Sequence, residues 1–340
     1  MIHPADGGAD PRPNPLTPAV VVVGAAARDV VADDPRGWRL GGGVSYSALT
    51  TARLGLPTAA LVGADALAQD AEELDLLREA GVDVRIVPLA RGPIFVNIER
   101  PEGRLQLCEE RSDPLPVDAI PANWRDAPGW ILAPVAAELP DGWADAPRSD
   151  ATVAVGWQGL LRDLVPGEAV RHVRPAPSAI LRRADLVGIS RDDVDRAIPL
   201  AELYRALRPG ALLALTQGDR GGLVGEGLDD EGFRLRHYPA IPSHSIVDPT
   251  GAGDVFLAAL AASRIQPRLV GGRIAQGYDL LLAAASASLV LEGPGLHGIP
   301  GREAVRRRMA EGLAAIGDDG RSAGTAPRTG ARVRPRTDDA

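Results

Sequence analysis

The sequence predicts an α/β fold, a doubly wound and mostly parallel sheet flanked by helices with a small β lid, and three observations carry that expectation. Short apolar runs at 20–24, 58–62, 130–134, 152–155, 184–189 and 211–215 are nearly uninterrupted, as strands buried on both faces of a parallel sheet must be. Segments of helical period, among them 44–54, 68–80 and 278–291, are interspersed with these runs, and the alternation of strand and helix gives the doubly wound arrangement. Between residues 84 and 110 the pattern changes to short alternating strands around the turn Pro101-Glu102-Gly103, the signature of a small sheet with one wet face.

A chain of 340 residues, 45% hydrophobic and 24% charged, can bury a large core. Aromatic residues make up 4%, so an aliphatic core is expected. The net charge of −8, with no basic run, argues against nucleic acid as a partner but leaves room for a nucleotide held by backbone amides and a metal. All 37 basic residues are arginine, which excludes a Walker A loop and any lysine Schiff base. No G-x-G-x-x-G follows the first strand, against a nicotinamide dehydrogenase. Cys108 is the single cysteine, so no internal disulfide forms and a reducing compartment fits. The N-terminus lacks a basic segment followed by an apolar one, and no apolar run reaches membrane-spanning length. A soluble, cytoplasmic protein without membrane partners is expected. Residues 1–17 and 317–340 are rich in Gly, Asp and Pro or Arg without periodicity and are expected to be disordered, leaving one domain over 18–316.

The most informative stretch is 245–262, read as a strand, a glycine turn and a helix apolar on nearly every face. After Asp248-Pro249-Thr250, the residues Gly251, Ala252 and Gly253 leave backbone N–H groups unshadowed at a helix start, where the positive end of the helix dipole adds to them. That is a cradle for an anion such as phosphate. Asp254 follows in the first helical turn, placed to accept a proton from a hydroxyl attacking that phosphate; otherwise it is an ordinary acidic residue at a helix start.

The string D-P-T-G-A-G-D-V-F resembles the C-terminal signature of the ribokinase-like (PfkB) carbohydrate kinases, with Pro249 where many members carry a second threonine. The resemblance extends in order over residues 20–316. It implies that Asp254 is the catalytic base, that Gly251, Ala252 and Gly253 form the anion hole, and that Thr250 lies beside the nucleotide. ATP with Mg²⁺ is the implied donor.

Taken along the chain, Asp29 stands just past the first strand, where the family holds substrate hydroxyls. Gly41 and Gly42 open a pattern similar to the family's N-terminal signature, but Tyr46 replaces the usual asparagine, which puts simple ribose or fructose recognition in question. In the family, elements such as 36–43 and 84–110 form a lid over the substrate, and some members dimerise through it. Gly156 and Gln158 stand where many members place an aspartate and an asparagine near the phosphates; Gln158 and Arg162 are candidate phosphate or acceptor contacts, and Arg162 can equally pair with a helix-end carboxylate. Ser190 and Asp193 replace the family's N-x-x-E, which positions the metal through water, and they also read as a helix N-cap. Thr216, Gly218 and Gly221 resemble the loop lining the nucleotide. The helix at 278–291 and its following loop resemble the adenine-side elements, where a monovalent cation is a further ligand. The five histidines show no paired spacing for zinc.

The variant motifs look most like the branch holding myo-inositol kinases and uncharacterised bacterial relatives. The implied acceptor is an inositol-like polyol or sugar, with nucleosides second. A ligand-binding or regulatory relative that has lost turnover is the other reading.

Overall fold

The computed structural model describes residues 17–32, 34–98, 105–228, 232–322 and 332–333; the expected disordered start and the 101–103 turn lie outside them. Its main sheet has ten strands. Their order is β17 (Arg332–Val333), β16 (Gly232–Tyr238), β15 (Gly222–Leu228), β14 (Leu212–Thr216), β13 (Leu186–Ser190), β9 (Thr152–Gly156), β8 (Gly129–Leu132), β1 (Val20–Ala25), β4 (Thr58–Ala64) and β5 (Asp83–Pro88). From β14 to β5 every neighbouring pair is parallel. The last three strands are antiparallel additions.

The apolar runs are explained by burial on both faces. In β1, Val20 and Val22 enter one hydrophobic layer while Val21 and Val23 enter the other. The first layer packs helices α1 (Gly43–Arg53), α2 (Glu73–Glu79), α5 (Ala252–Ile265), α6 (Tyr278–Val290) and α7 (Arg302–Ser322). The centre of that layer is α5, in contact with α1, α6 and the strands β8, β9 and β13, so its residues 255–263 are all buried. This explains a helix with no polar face. The opposite layer holds the short helices α3 (Ala179–Arg183) and α4 (Leu200–Arg205), and it corrects the expected aliphatic core. Trp124, Trp130, Trp143 and Trp157 are all fully buried there. Four of the five tryptophans are gathered in this layer, while Tyr46, Tyr238 and Phe256 are buried in the other.

A second sheet forms the lid, in the order β11 (Glu168–Ala169), β7 (Leu105–Glu110), β6 (Ile94–Ile98), β2 (Ala27–Val30) and β3 (Trp38–Gly41). Two features differ from expectation. Residues 84–88 belong to the main sheet as edge strand β5; Val84 and Ile86 pack on the helical layer while Asp83, Arg85 and Pro88 are exposed, and this alternation imitates a lid strand. The lid gains β2, which leaves β1 after Ala26 and carries Asp29. A minor pair joins β10 (Arg162–Asp163) to β12 (Arg171–His172).

Other expectations are corrected at element ends. The single helix expected over 68–80 is a 3₁₀ turn at 68–70, a break at Ala71, whose backbone is extended, and then α2. The stretch 245–247 forms no strand: Ile246 and Val247 are 72% and 58% exposed, and Val247 N–H donates to the Leu291 carbonyl instead of a ladder. Past residue 316, α7 continues to Ser322, and Arg332–Val333 pair with β16 as β17; the rest of the expected tail lies outside the described residues. Among the described residues no helix is long and apolar enough to cross a membrane.

Candidate active site

The loops that matter leave the carboxyl ends of the parallel strands, where open α/β sheets bind ligands. Asp29 follows β1; residues 133–138 follow β8; Gln158 and Arg162 follow β9; Ser190 ends β13 and Thr216 ends β14.

At the start of α5, Gly251 is the N-cap with φ of +79°, a left-handed conformation that costs a side-chain-bearing residue about 1 kcal/mol or more. A methyl group there would also penetrate the Tyr46 ring. Tyr46 is 2% exposed and packs directly against Gly251, with its hydroxyl near Gly295. The residue expected to touch the acceptor therefore packs against the glycine turn. Asp248 fastens the same turn: Oδ1 accepts from Thr250 N–H at 2.9 Å and Oδ2 from Gly295 N–H at 3.1 Å. Gly253 has open space where a side chain would stand.

Asp254 occupies the first turn of α5, and its Oδ1 lies 2.8 Å from where a methyl group on Gly43 would be. Asp29 lies equally tight over Gly41, whose methyl would collide with Asp29 Oδ2. Two residues span at most about 7 Å of chain, so both carboxylates overlook one short segment of the glycine turn before α1. Paired glycines are needed because a side chain at either position would occupy the place of a carboxylate. On the lid, Asn97 donates to Asp29 Oδ1 at 3.4 Å, and Gln106 donates to Asn97 Oδ1 at 2.8 Å.

Burial pushes the Asp254 carboxyl up to about 7, with the negative charges of Asp193 and Asp29 adding to the rise and the positive charge of Arg162 opposing it. That is the range in which a general base works at neutral pH. Arg162 donates to the Val135 carbonyl at 3.1 Å and lies over the Phe95 ring of the lid, 5.2 Å from its centroid. Burial lowers its affinity for a proton, while Asp193, Asp29, Asp254 and Glu138 all support its charge. The carboxylates acting on Arg162 include Asp193 and Asp254, each in the first turn of a helix.

Ser190 and Asp193 form a capping box: Ser190 Oγ accepts from Asp192 N–H, and Asp193 Oδ2 accepts from Ser190 N–H. Gln158 donates to Asp193 Oδ1 at 2.7 Å. Among the described residues no group of three or more His, Cys, Asp or Glu is arranged to hold a metal ion. Thr216 ends β14, and Gly218 and Gly221, both at positive φ, turn the chain into β15.

Glu138 escaped the sequence reading. Fully buried, it accepts from Ala25 N–H at 2.9 Å, Val135 N–H at 3.0 Å and Ala136 N–H at 2.7 Å, tying the loop after β8 to the end of β1. Burial raises its pKa against the pull of those donors. A lone acid just past an apolar strand was the available signal. Phe95, Asn97 and Gln106 were also missed; they are inward-facing positions of lid strands whose pairing no single sequence reveals.

Residues 179–299 match the family described as pfkB family carbohydrate kinase. Comparison with curated proteins finds no match. Among solved structures, a pyrophosphate-dependent kinase in the ribokinase family, complexed with a pyrophosphate analog and myo-inositol, is similar at 20% identity. The match covers 85% of this chain and 99% of that one, with a TM-score of 0.64. Arabidopsis thaliana ribokinase, complexed with ribose and ATP, is similar at 19% identity, covering 86% and 99%, with a TM-score of 0.59. A nucleoside kinase of Methanocaldococcus jannaschii is 14% identical, covering 87% and 99%, with a TM-score of 0.59. The segment 179–299 thus matches the pfkB family of carbohydrate kinases, and the chain around it has the ribokinase fold.

Proposed function

We propose that this protein transfers the terminal phosphoryl group of ATP to a hydroxyl of a small polyol, an inositol or a sugar. The observation that carries the reading is the placement of Asp254: a carboxyl titrating near neutrality, in the first turn of α5 beside the amides of residues 251–253, sharing the Gly41–Gly43 turn with Asp29. In this reading Asp29, oriented by Asn97, binds the acceptor's hydroxyls, and Asp254 removes the proton from the one that attacks. The amides of Gly251, Ala252 and Gly253 stabilise the charge that develops on the transferred phosphoryl group. Thr216, Gly218, Gly221 and Thr250 line the donor.

Mg²⁺, when bound, neutralises the donor phosphates. With no three-acid cluster in the described residues, the donor set fits a metal held by those phosphates and reached through water from Asp193, whose oxygens are already hydrogen-bonded to Gln158 and Ser190. A cytoplasmic, reducing setting suits a lone buried Cys108.

Pyrophosphate is a second donor, favoured by the pyrophosphate-dependent neighbours. The exposed apolar pair Ile246–Val247, directly before the turn at Asp248, supports ATP, because it offers the kind of surface on which a purine ring rests and pyrophosphate has no use for. The test is ³¹P NMR of the protein with Mg²⁺, either donor, and inositols, hexoses, pentoses or nucleosides. A new phosphomonoester from ATP and an inositol or sugar is expected. Transfer only from pyrophosphate, or only to nucleosides, would replace those parts of the reading, and no transfer to any acceptor would overturn it in favour of a binding protein.

A further inference from the structure

Arg162 is a half-buried cation. Its guanidinium makes one hydrogen bond, to the Val135 carbonyl, and its Nε is buried without a partner. Among the described residues no carboxylate lies within ion-pair distance of it. Burying a charge on those terms is costly unless the charge acts on something nearby. Two contacts locate the action. One face of the guanidinium rests on Phe95, which is 1% exposed and stands opposite Asp29 in the β2–β6 register. On the main-sheet side it is held by the loop that buried Glu138 fixes to the end of β1.

Asp254 Oδ1 and the Ala133 side chain close on the same point beside Gly43, and Ala133 lies two residues before Val135, whose carbonyl accepts from Arg162, so one loop has both groups beside it. The charged groups acting on Asp254 are Asp193 from the turn after β13, Asp29 from β2 and Arg162 from β10, with Arg162 the one cation among them. From α1 the neighbour is Gly43, which has no charge, and Asp279 of α6 is paired with Arg264 at the opposite end of α5.

We propose that Arg162 is the positioning residue that couples lid to base: Phe95 fixes the guanidinium, and the guanidinium holds Asp254 in the ionised form that accepts the acceptor's proton. This rests on the reading of Asp254 as the base, and goes beyond it by assigning the state of that base to a lid contact.

The test compares the pH dependence of kcat/KM in wild type, Arg162→Gln, Arg162→Lys, Phe95→Leu and the Arg162→Gln/Phe95→Leu double variant. Arg162→Gln moves the acid limb upward by at least half a pH unit, and Arg162→Lys keeps it near the wild-type position. Phe95→Leu moves it the same way as Arg162→Gln but less, and the double variant moves no further than Arg162→Gln alone. An unmoved limb in Arg162→Gln, or fully additive shifts in the double variant, overturns the proposal.

A second reading of the same claim needs no turnover. The gain in melting temperature from Asp254→Asn is measured from pH 5 to 9, in backgrounds with and without Arg162. Because the folded state favours the protonated acid, this gain grows as pH rises and levels off once Asp254 is ionised. With Arg162 it levels off near pH 7; without Arg162 it goes on growing above that. Levelling at the same pH in both backgrounds contradicts the coupling. If wild type transfers phosphate to no acceptor, the proposed function fails, and the melting comparison still decides what Arg162 does to Asp254.

Discussion

Asp254 ties together a backbone geometry and an electrostatic environment. Its carboxyl is pushed up to about 7, chiefly by burial, so the account predicts an acid limb in kcat/KM. Activity is full above about pH 8 and falls roughly tenfold per unit well below pH 7, because only the ionised form accepts a proton; a flat profile from pH 5 to 9 would remove Asp254 as the base. The neighbouring glycine gives a separate check. A methyl group at Gly43 would stand 2.8 Å from Asp254 Oδ1, closer than such contacts allow, so Gly43→Ala must displace the carboxylate by a few tenths of an ångström. We expect kcat to fall by about 10-fold or more, with the KM for ATP little changed, since misplacement of a reacting group is felt in the chemical step. Unchanged kcat would show that the carboxylate is not held against the glycine turn during turnover.

At the scale of elements, the site depends on how three loops are anchored at the carboxyl edge of the sheet. Glu138 is the strongest anchor, receiving three backbone donors that burial would otherwise leave unpaired. Each unpaired buried donor costs about 1–3 kcal/mol, partly offset by no longer burying a charge. Glu138→Leu should therefore destabilise the fold by about 2–4 kcal/mol in urea or thermal melts, and a loss under about 0.5 kcal/mol would mean that the loop has another anchor. The strands and helices that carry the site were legible in the sequence because their pattern is local. β1, β4, β8, β9, β13, β14, α1, α5 and α6 all appear within a few residues of their expected positions. The lid was only half legible: edge strand β5 imitates it, and β2, four residues long, carries no pattern of its own. The exposed Ile246–Val247 pair misled for the opposite reason, since two β-branched residues look like strand wherever they stand.

For the whole molecule, the groups proposed for acceptor and donor come from separate parts of the chain, and the sheet order brings β1 beside β8 and then β9, β13 and β14. The D-P-T-G-A-G-D string announced the donor half. Which side chains complete the proposed acceptor half was not legible, because Asn97, Gln106 and Phe95 come to Asp29 and Arg162 only through register across the lid. Tyr46 shows the same limit, aligned with a substrate-binding position yet packed against Gly251. Ligand linkage tests the assembled site as a unit. ATP with Mg²⁺ at about 100 times its Kd should stabilise the fold by about 2.7 kcal/mol, seen as a rise of several degrees in melting temperature. Asp254→Asn should keep that rise, because the base is not needed to hold the donor; a variant that no longer responds to ATP would assign Asp254 to binding instead.

The most direct measurement follows label from [γ-³²P]ATP into an inositol or sugar with Mg²⁺ at pH 8, with wild type and Asp254→Asn side by side. The account predicts labelled phosphomonoester from wild type and roughly 10²-fold less or lower from the variant, at equal ATP binding. Equal transfer by the two proteins would contradict it.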